Sequence, residues 1–226
     1  AQMNAKVRDM ISQAIQSDGV EEIFKLGEDD ATEIDIFAGN YLNKIEKIKL
    51  PNTKVKLLQQ LMKRAISDFK KVNKIKGVDF SKKFQTLVEK YNERDEQDVL
   101  VSNVLEDFTE EIMGMFEELR QERESFAELG IDIEEKAFYD ILEALAKKYE
   151  FSYPEEKLLK LAKLVKAEVD DKAKYTDWSQ RDDIKAELKV SLIMLLANND
   201  YPPIDRDEVY KEIFEQAQNF KKNQAA

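Results

Sequence analysis

The residues whose types are best suited to specific recognition lie between Val169 and Lys189, in the stretch VDDKAKYTDWSQRDDIKAELK. Tyr175, the chain's only tryptophan Trp178, Arg181 and Asp182 fall there within a run of alternating charge, on an expected break between two helices. Elsewhere the apolar residues are largely accounted for by helices that bury one face and wet the other. On a connector, packing demands less, and aromatics with Arg are the types that interface hot spots favour. Tyr175, Trp178, Arg181 and Asp182 are therefore candidates for docking a protein partner. The competing reading makes Trp178 a hydrophobic plug beneath a loop.

Two further groupings invite chemistry. Asp182 and Asp183, followed by Glu187-Leu188-Lys189, superficially resemble the Asp…Glu-x-Lys layout of Mg²⁺-dependent nucleases. Such a site needs carboxylates and a lysine converging on a metal, usually from neighbouring strands. Here all of them fall within two turns of one expected helix, where Glu187 and Lys189 point about 200° apart. A solvated helix face with local charge pairs explains them better. The second grouping is Lys56, Lys63, Arg64, Lys70 and Lys71, on the polar side of a helix expected over Lys54 to Lys74. These residues could follow a phosphate backbone, and they are the candidates for DNA contact. The face lacks the interleaved aromatics of single-strand binders, and basic faces are commonly solvated or paired with acidic helices.

Absences narrow the chemistry. The 226 residues contain no His and no Cys, which removes Ser-His-Asp and Cys-His catalysis, thiolate metal sites and disulfides. With only six glycines, neither a Walker loop nor a GxGxxG turn is assembled. No catalytic residue, cofactor site or metal site is assigned. Catalysis, if any, would have to run on carboxylates, Lys, Tyr or a hard metal held by oxygen.

The length suffices for one large helical domain or two small ones. With 42% hydrophobic and 37% charged residues, the chain is neither disordered by composition nor membrane-embedded. Its longest apolar run, Leu192 to Ala197, falls far short of the roughly 18–20 residues that span a bilayer. The start AQMNAKVRDM has no apolar signal region, and the absence of Cys fits a reducing cytoplasm. The net charge of −11 is unevenly spread: residues 41–90 carry 14 basic and 4 acidic side chains, residues 91–140 carry 4 and 17. A basic block beside an acidic one suggests internal charge-matched packing or two faces with different partners.

Helical periodicity runs almost throughout. A first amphipathic helix is expected over about Ala1 to Ser17, and a short one from about Ile34 to Ile48. Lys54 to Lys74 follows, with Val55, Leu58, Leu61, Met62, Ala65, Ile66, Phe69 and Val72 as its apolar stripe. Gly77 is expected to end that region and Asp79 to cap the next helix, lined by Phe80, Phe84, Leu87, Val88 and Tyr91. A long helix should run from Glu96 to Leu129, with Gly130 as C-cap. Asp132-x-x-Glu135 reads as a capping box, and Pro154 opens another helix. Ser179 or Asp182 should cap the helix through Leu196, which Asn198-Asn199-Asp200 breaks. Asp205-x-x-Glu208 leads a last helix. The class is all-α, an irregular bundle of roughly eight to ten helices, with Gly130 and the charge switch near Tyr91 as seams between subdomains such as 1–130 and 131–226.

The blocks KIEKIKLPNTKVKLLQQLMKRAI, KKVNKIKGVDFSKKF, EKAFYDIL, DDKAKYTDWSQRDDIKAELK and YPPIDRDEVYKEIFEQAQNFKKN resemble, in order, the C-terminal helical region of restriction (motor) subunits of type I restriction–modification enzymes. The likeness covers essentially the whole chain, and none of the matching blocks is catalytic. The resemblance implies a parent subunit with an Asp…Glu-x-Lys nuclease domain and two RecA-like motor domains that translocate duplex DNA with ATP and Mg²⁺. It also implies a helical domain that docks the motor onto the methyltransferase core of modification and specificity subunits. The ending NFKKNQAA looks like such a subunit's natural end. No position here matches the family's catalytic residues, so the resemblance implies a non-catalytic assembly domain. The alternative is a helical module that contacts the translocating duplex through its basic face.

Overall fold

The computed structural model describes residues 37, 41–48, 51–93, 102–172, 174, 178–204 and 207–224. Among them are eight α-helices and no strand: α1 (Tyr41–Glu46), α2 (Pro51–Val72), α3 (Lys74–Asn92), α4 (Ser102–Glu124), α5 (Ile133–Lys148), α6 (Glu155–Lys172), α7 (Asp182–Asn198) and α8 (Asp207–Gln224). Short 3₁₀ turns at Ser125–Ala127 and Trp178–Gln180 follow α4 and precede α7. The all-α expectation holds. The helix expected over Ala1 to Ser17 and the Asp205 end of the last capping box lie outside the described residues.

The chain folds as two compact units. One takes in the described residues up to Ser67 together with Phe80–Arg120; the other takes in Asp68–Asp79 and Gln121–Ala226. The division falls inside α4, and the elbow between α2 and α3 belongs with the second unit.

In the first unit the expected stripe of α2, from Val55 to Ile66, is buried. Phe80, Phe84 and Leu87 of α3 and Phe108, Ile112, Phe116 and Leu119 of α4 are buried as well. The Tyr91 and Phe108 rings stack at 4.1 Å, and Phe37 stacks on Phe116 at 5.5 Å. Lys83 pairs with Glu118 and Lys90 with Glu111, both at 3.3 Å. The sequence numbers run in opposite senses, so α3 and α4 are antiparallel here. The basic and acidic blocks thus meet, in part, as charge-matched packing. With these side chains mostly in water, each pair contributes only about 0.2–1 kcal/mol, and burial carries the unit.

In the second unit α5 packs on α6, α6 on α7, α7 on α8, and α8 returns to α5. Phe138, Leu142, Leu145, Leu161, Val165, Leu188, Leu196, Ile213 and Ala217 fill the core of this ring. Both bonds of the capping box at α5 form: Asp132 accepts from the Glu135 N–H at 2.7 Å, and Glu135 accepts from the Asp132 N–H at 3.0 Å. Gly130 sits at φ +65 just before it, the left-handed conformation that a C-terminal glycine supplies without a Cβ penalty. Asp200, at φ 54, follows α7 as the Asn-Asn-Asp break required.

The elbow departs from the expectation. Gly77 and Asp79 do not separate two helices; both lie inside α3. The break is one residue, Asn73, whose side-chain oxygen accepts from the Lys76 N–H at 3.2 Å and so caps α3. Gly77 is needed for a different reason. A Cβ there would stand 2.6 Å from both Cα and Cβ of Lys70, so the last turn of α2 passes against it with no room to spare.

The two helical glycines should respond in opposite ways. Gly77→Ala forces the elbow apart and should cost about 1–3 kcal/mol, the range for overpacking. Gly114→Ala, with nothing within 4 Å of the added carbon, should gain about 0.5–1 kcal/mol from helix propensity. Urea unfolding followed by circular dichroism measures both.

Candidate functional site

Trp178 is 2% exposed and belongs to the core of the second unit, together with Val169, Ile184 and Leu188. Burial matches the plug reading: the indole supports the surface above it and presents almost none of it. Tyr175 lies outside the described residues. Arg181 is exposed and occupies the N-cap position of α7 without a side-chain capping bond, so neither Ser179 nor Asp182 caps this helix. Instead the Arg181 guanidinium grips Asp183 through two bonds, Nη2–Oδ2 at 2.7 Å and Nε–Oδ1 at 3.3 Å. That grip holds the Asp183 carboxyl below the ordinary carboxylate range. Asp182 is almost fully exposed and takes the Lys185 ammonium at 3.1 Å. Two carboxylates in the first turn also suit the helix dipole.

The nuclease-like spacing does not assemble. Asp182 pairs with Lys185, Asp183 with Arg181, and Glu187 with Lys172 at 2.8 Å. These are separate surface pairs, and among the described residues no group of three or more Asp or Glu is placed to hold a metal ion.

What the structure adds is the outer face of α7. Ile184, Leu188, Leu192 and Leu196 turn into the core. The opposite side carries Ala186, Val190 and Met194, with Val190 57% and Met194 60% exposed, the two exposed large hydrophobics among the described residues. They line an open groove of about 580 Å³ with Glu168 and Lys172 of α6 and Leu195 of α7. Ser191 donates to Glu168 across the two helices. Large apolar side chains on a helix ordinarily face a core, and here Val190 and Met194 are left exposed. In the sequence only Met194 of this face falls in the apolar run Leu192 to Ala197; Val190 stands between Lys189 and Ser191.

Of the candidates for DNA contact, Lys56, Lys63, Lys70 and Lys71 are exposed on α2 and Arg64 is half-buried. Lys56, Lys63 and Lys70 recur every seven residues along one side of the helix, about 10 Å apart. Lys71 pairs with Asp68 at 2.9 Å.

A sequence model of the family described as "Type I restriction enzyme HindI endonuclease subunit-like, C-terminal" matches residues 1–223. The chain belongs to this family. It is 24% identical over 222 residues to a protein of Methanocaldococcus jannaschii named as a type I restriction enzyme MjaIXP endonuclease subunit, covering 94% of this chain and 20% of that protein. It is 22% identical over 212 residues to the type I restriction enzyme HindI endonuclease subunit of Haemophilus influenzae, covering 94% of this chain and 19% of that one. The chain thus spans about a fifth of the length of these relatives. No solved structure matches it. Within this C-terminal family region, no helix among the described residues is long and apolar enough to cross a membrane.

The connector residues should separate by role. Trp178→Ala should destabilise the second unit by about 3–5 kcal/mol, as for a large aromatic removed from a core. Arg181→Ala should stay within about 0.5 kcal/mol, as for an exposed pair. Thermal and urea unfolding of the two variants checks this split.

Proposed function

We propose that this family region is an assembly domain without catalytic residues of its own. It docks the larger endonuclease subunit onto the modification and specificity subunits that form the methyltransferase core of a cytoplasmic type I enzyme. On this reading the ATP-dependent and Mg²⁺-dependent steps on duplex DNA belong to parts of the subunit outside this region. The observation that carries it is the uncovered apolar side of α7. Burying Val190 and Met194 fully would contribute about 1.5–3 kcal/mol each, enough to anchor an interface without threatening the solubility of the free domain. The methionine adds an adaptable contact, since its unbranched thioether fills irregular gaps. Arg181 and Asp182 stand at one end of the same helix and suit the polar rim that surrounds such a centre. Trp178 holds that end in place from below.

The test is co-elution of the chain with the modification–specificity core on size-exclusion chromatography at moderate salt. The wild-type chain should co-elute. Val190→Glu/Met194→Glu, with both positions in solvent and the helix intact by circular dichroism, should elute apart. Co-elution of that double variant at the wild-type level would sink the assignment to α7.

A further inference from the structure

A second feature of the same unit lies beside the start of α7. A cleft of about 500 Å³ is lined by Lys74 of α3, Lys185 of α7, and Glu215, Asn219 and Lys222 of α8, with Trp178 contributing to its wall. The Asn219 amide donates to the carbonyls of Lys70 and Lys71 at 3.0 and 3.2 Å, which brings the turn bearing those two exposed lysines against the cleft. Three lysines therefore line one depression of a chain whose net charge is −11, and the turn of Lys70 and Lys71, the latter paired with Asp68, adjoins it. Part of this is ordinary helix electrostatics: Lys70 and Lys71 end α2 and Lys222 ends α8, where cations favour the dipole. Lys74 and Lys185 are different. They stand in the first turns of α3 and α7, where the dipole disfavours a positive charge. Lys74 is held by Glu215 at 3.1 Å and Lys185 by the outlying Asp182, while the exposed Lys222 has no ion-pair partner among the described residues.

We propose that this cleft binds the phosphodiester backbone of a nucleic-acid duplex, with Lys222, Lys185 and Lys74 against its phosphates and Lys70 extending the track. Two observations select this ligand. Cations spread along a cleft and its rim fit an extended polyanion better than one phosphate group. The indole is too buried to stack on a base, and single-strand binders depend on such stacking. Recognition is therefore electrostatic and independent of base sequence. The assembly test, made at Val190 and Met194, touches none of the residues that line this cleft, so the two readings fail separately.

The only tryptophan of the chain lies at this cleft, so its emission reports occupancy. The 226-residue chain is titrated with a short duplex DNA of mixed sequence, followed by Trp178 emission and by anisotropy of the labelled duplex. We expect saturable binding at low salt whose logarithm falls linearly with the logarithm of salt concentration. Lys222→Ala should weaken it and lower the salt slope by about one. Glu215→Gln removes the competing carboxylate and releases Lys74, so it should tighten binding, a gain that misfolding does not produce. No change in either signal at low salt overturns the proposal. So does binding that neither substitution alters, tighter binding of single strands, or an equal emission response to inorganic phosphate at matched ionic strength.

Discussion

The second unit depends on one buried carboxylate. Asp140, 2% exposed, accepts from Lys136 Nζ at 2.5 Å and from Asn73 Nδ2 at 2.7 Å. Lys136 also reaches Glu122 at 3.0 Å, and Lys76 reaches the same Glu122 oxygen at 3.3 Å. Burial pushes the Asp140 carboxyl above its ordinary range, only partly offset by Lys136 and Lys76. Burial would also raise Glu122, but there the bonds from Lys136 and Lys76 prevail and hold it low. The two carboxylates therefore respond to pH with opposite sign. Glu122 stabilises the fold above the carboxylate range and loses that contribution as pH falls, whereas Asp140 favours the folded state most when protonated. The net worth of such a network is small, yet removing one member leaves a buried charge unpaired at a cost of about 3–5 kcal/mol. Its effect is to fix geometry: it fastens the elbow at Asn73 to α5 and to the last turn of α4.

The rest of the unit is built around that elbow. Gln216 donates to the Val72 carbonyl at 3.0 Å and accepts from the Lys74 N–H at 3.1 Å, so α8 satisfies the end of one helix and the start of the next. Asn219 does the same for the carbonyls of Lys70 and Lys71. Backbone groups freed by a one-residue break are thus paired by side chains roughly 140 residues away in sequence. A ring held this firmly gives α7 a rigid seat. One side of α7 is spent on the core, and the other, which carries Val190 and Met194, is exposed and on the proposed reading receives the partner.

Much of this was legible from the chain itself. The all-α class, the stripe of α2, the capping box at Asp132 and the Asn-Asn-Asp break after α7 each follow from local spacing, and each is present. The family likeness carried by ordered blocks matches the family to which the chain belongs. What local reading misplaced was the α2–α3 break. Gly77 looks like a terminator because glycine usually is one, but its role here is set by Lys70, a contact across the elbow that periodicity cannot register. Asn73, a good N-cap, is hidden among lysines in VNKIKG. Trp178 drew attention by its rarity, but it belongs to the core that α5, α6, α7 and α8 build together. The outer face of α7 was not readable from the apolar run Leu192 to Ala197, which holds only Met194 of it; the fold alone separates the side that packs from the side that does not.

If a partner docks as proposed, the outer face of α7 is covered in the assembled enzyme. Hydrogen–deuterium exchange of the chain, alone and mixed with the modification–specificity core, tests it directly. Exchange should slow in Asp182–Asn198 and the facing stretch of α6 on complex formation, with α3 and α4 unchanged. Slowing confined to other helices, or none in α7 when the complex forms, would contradict it.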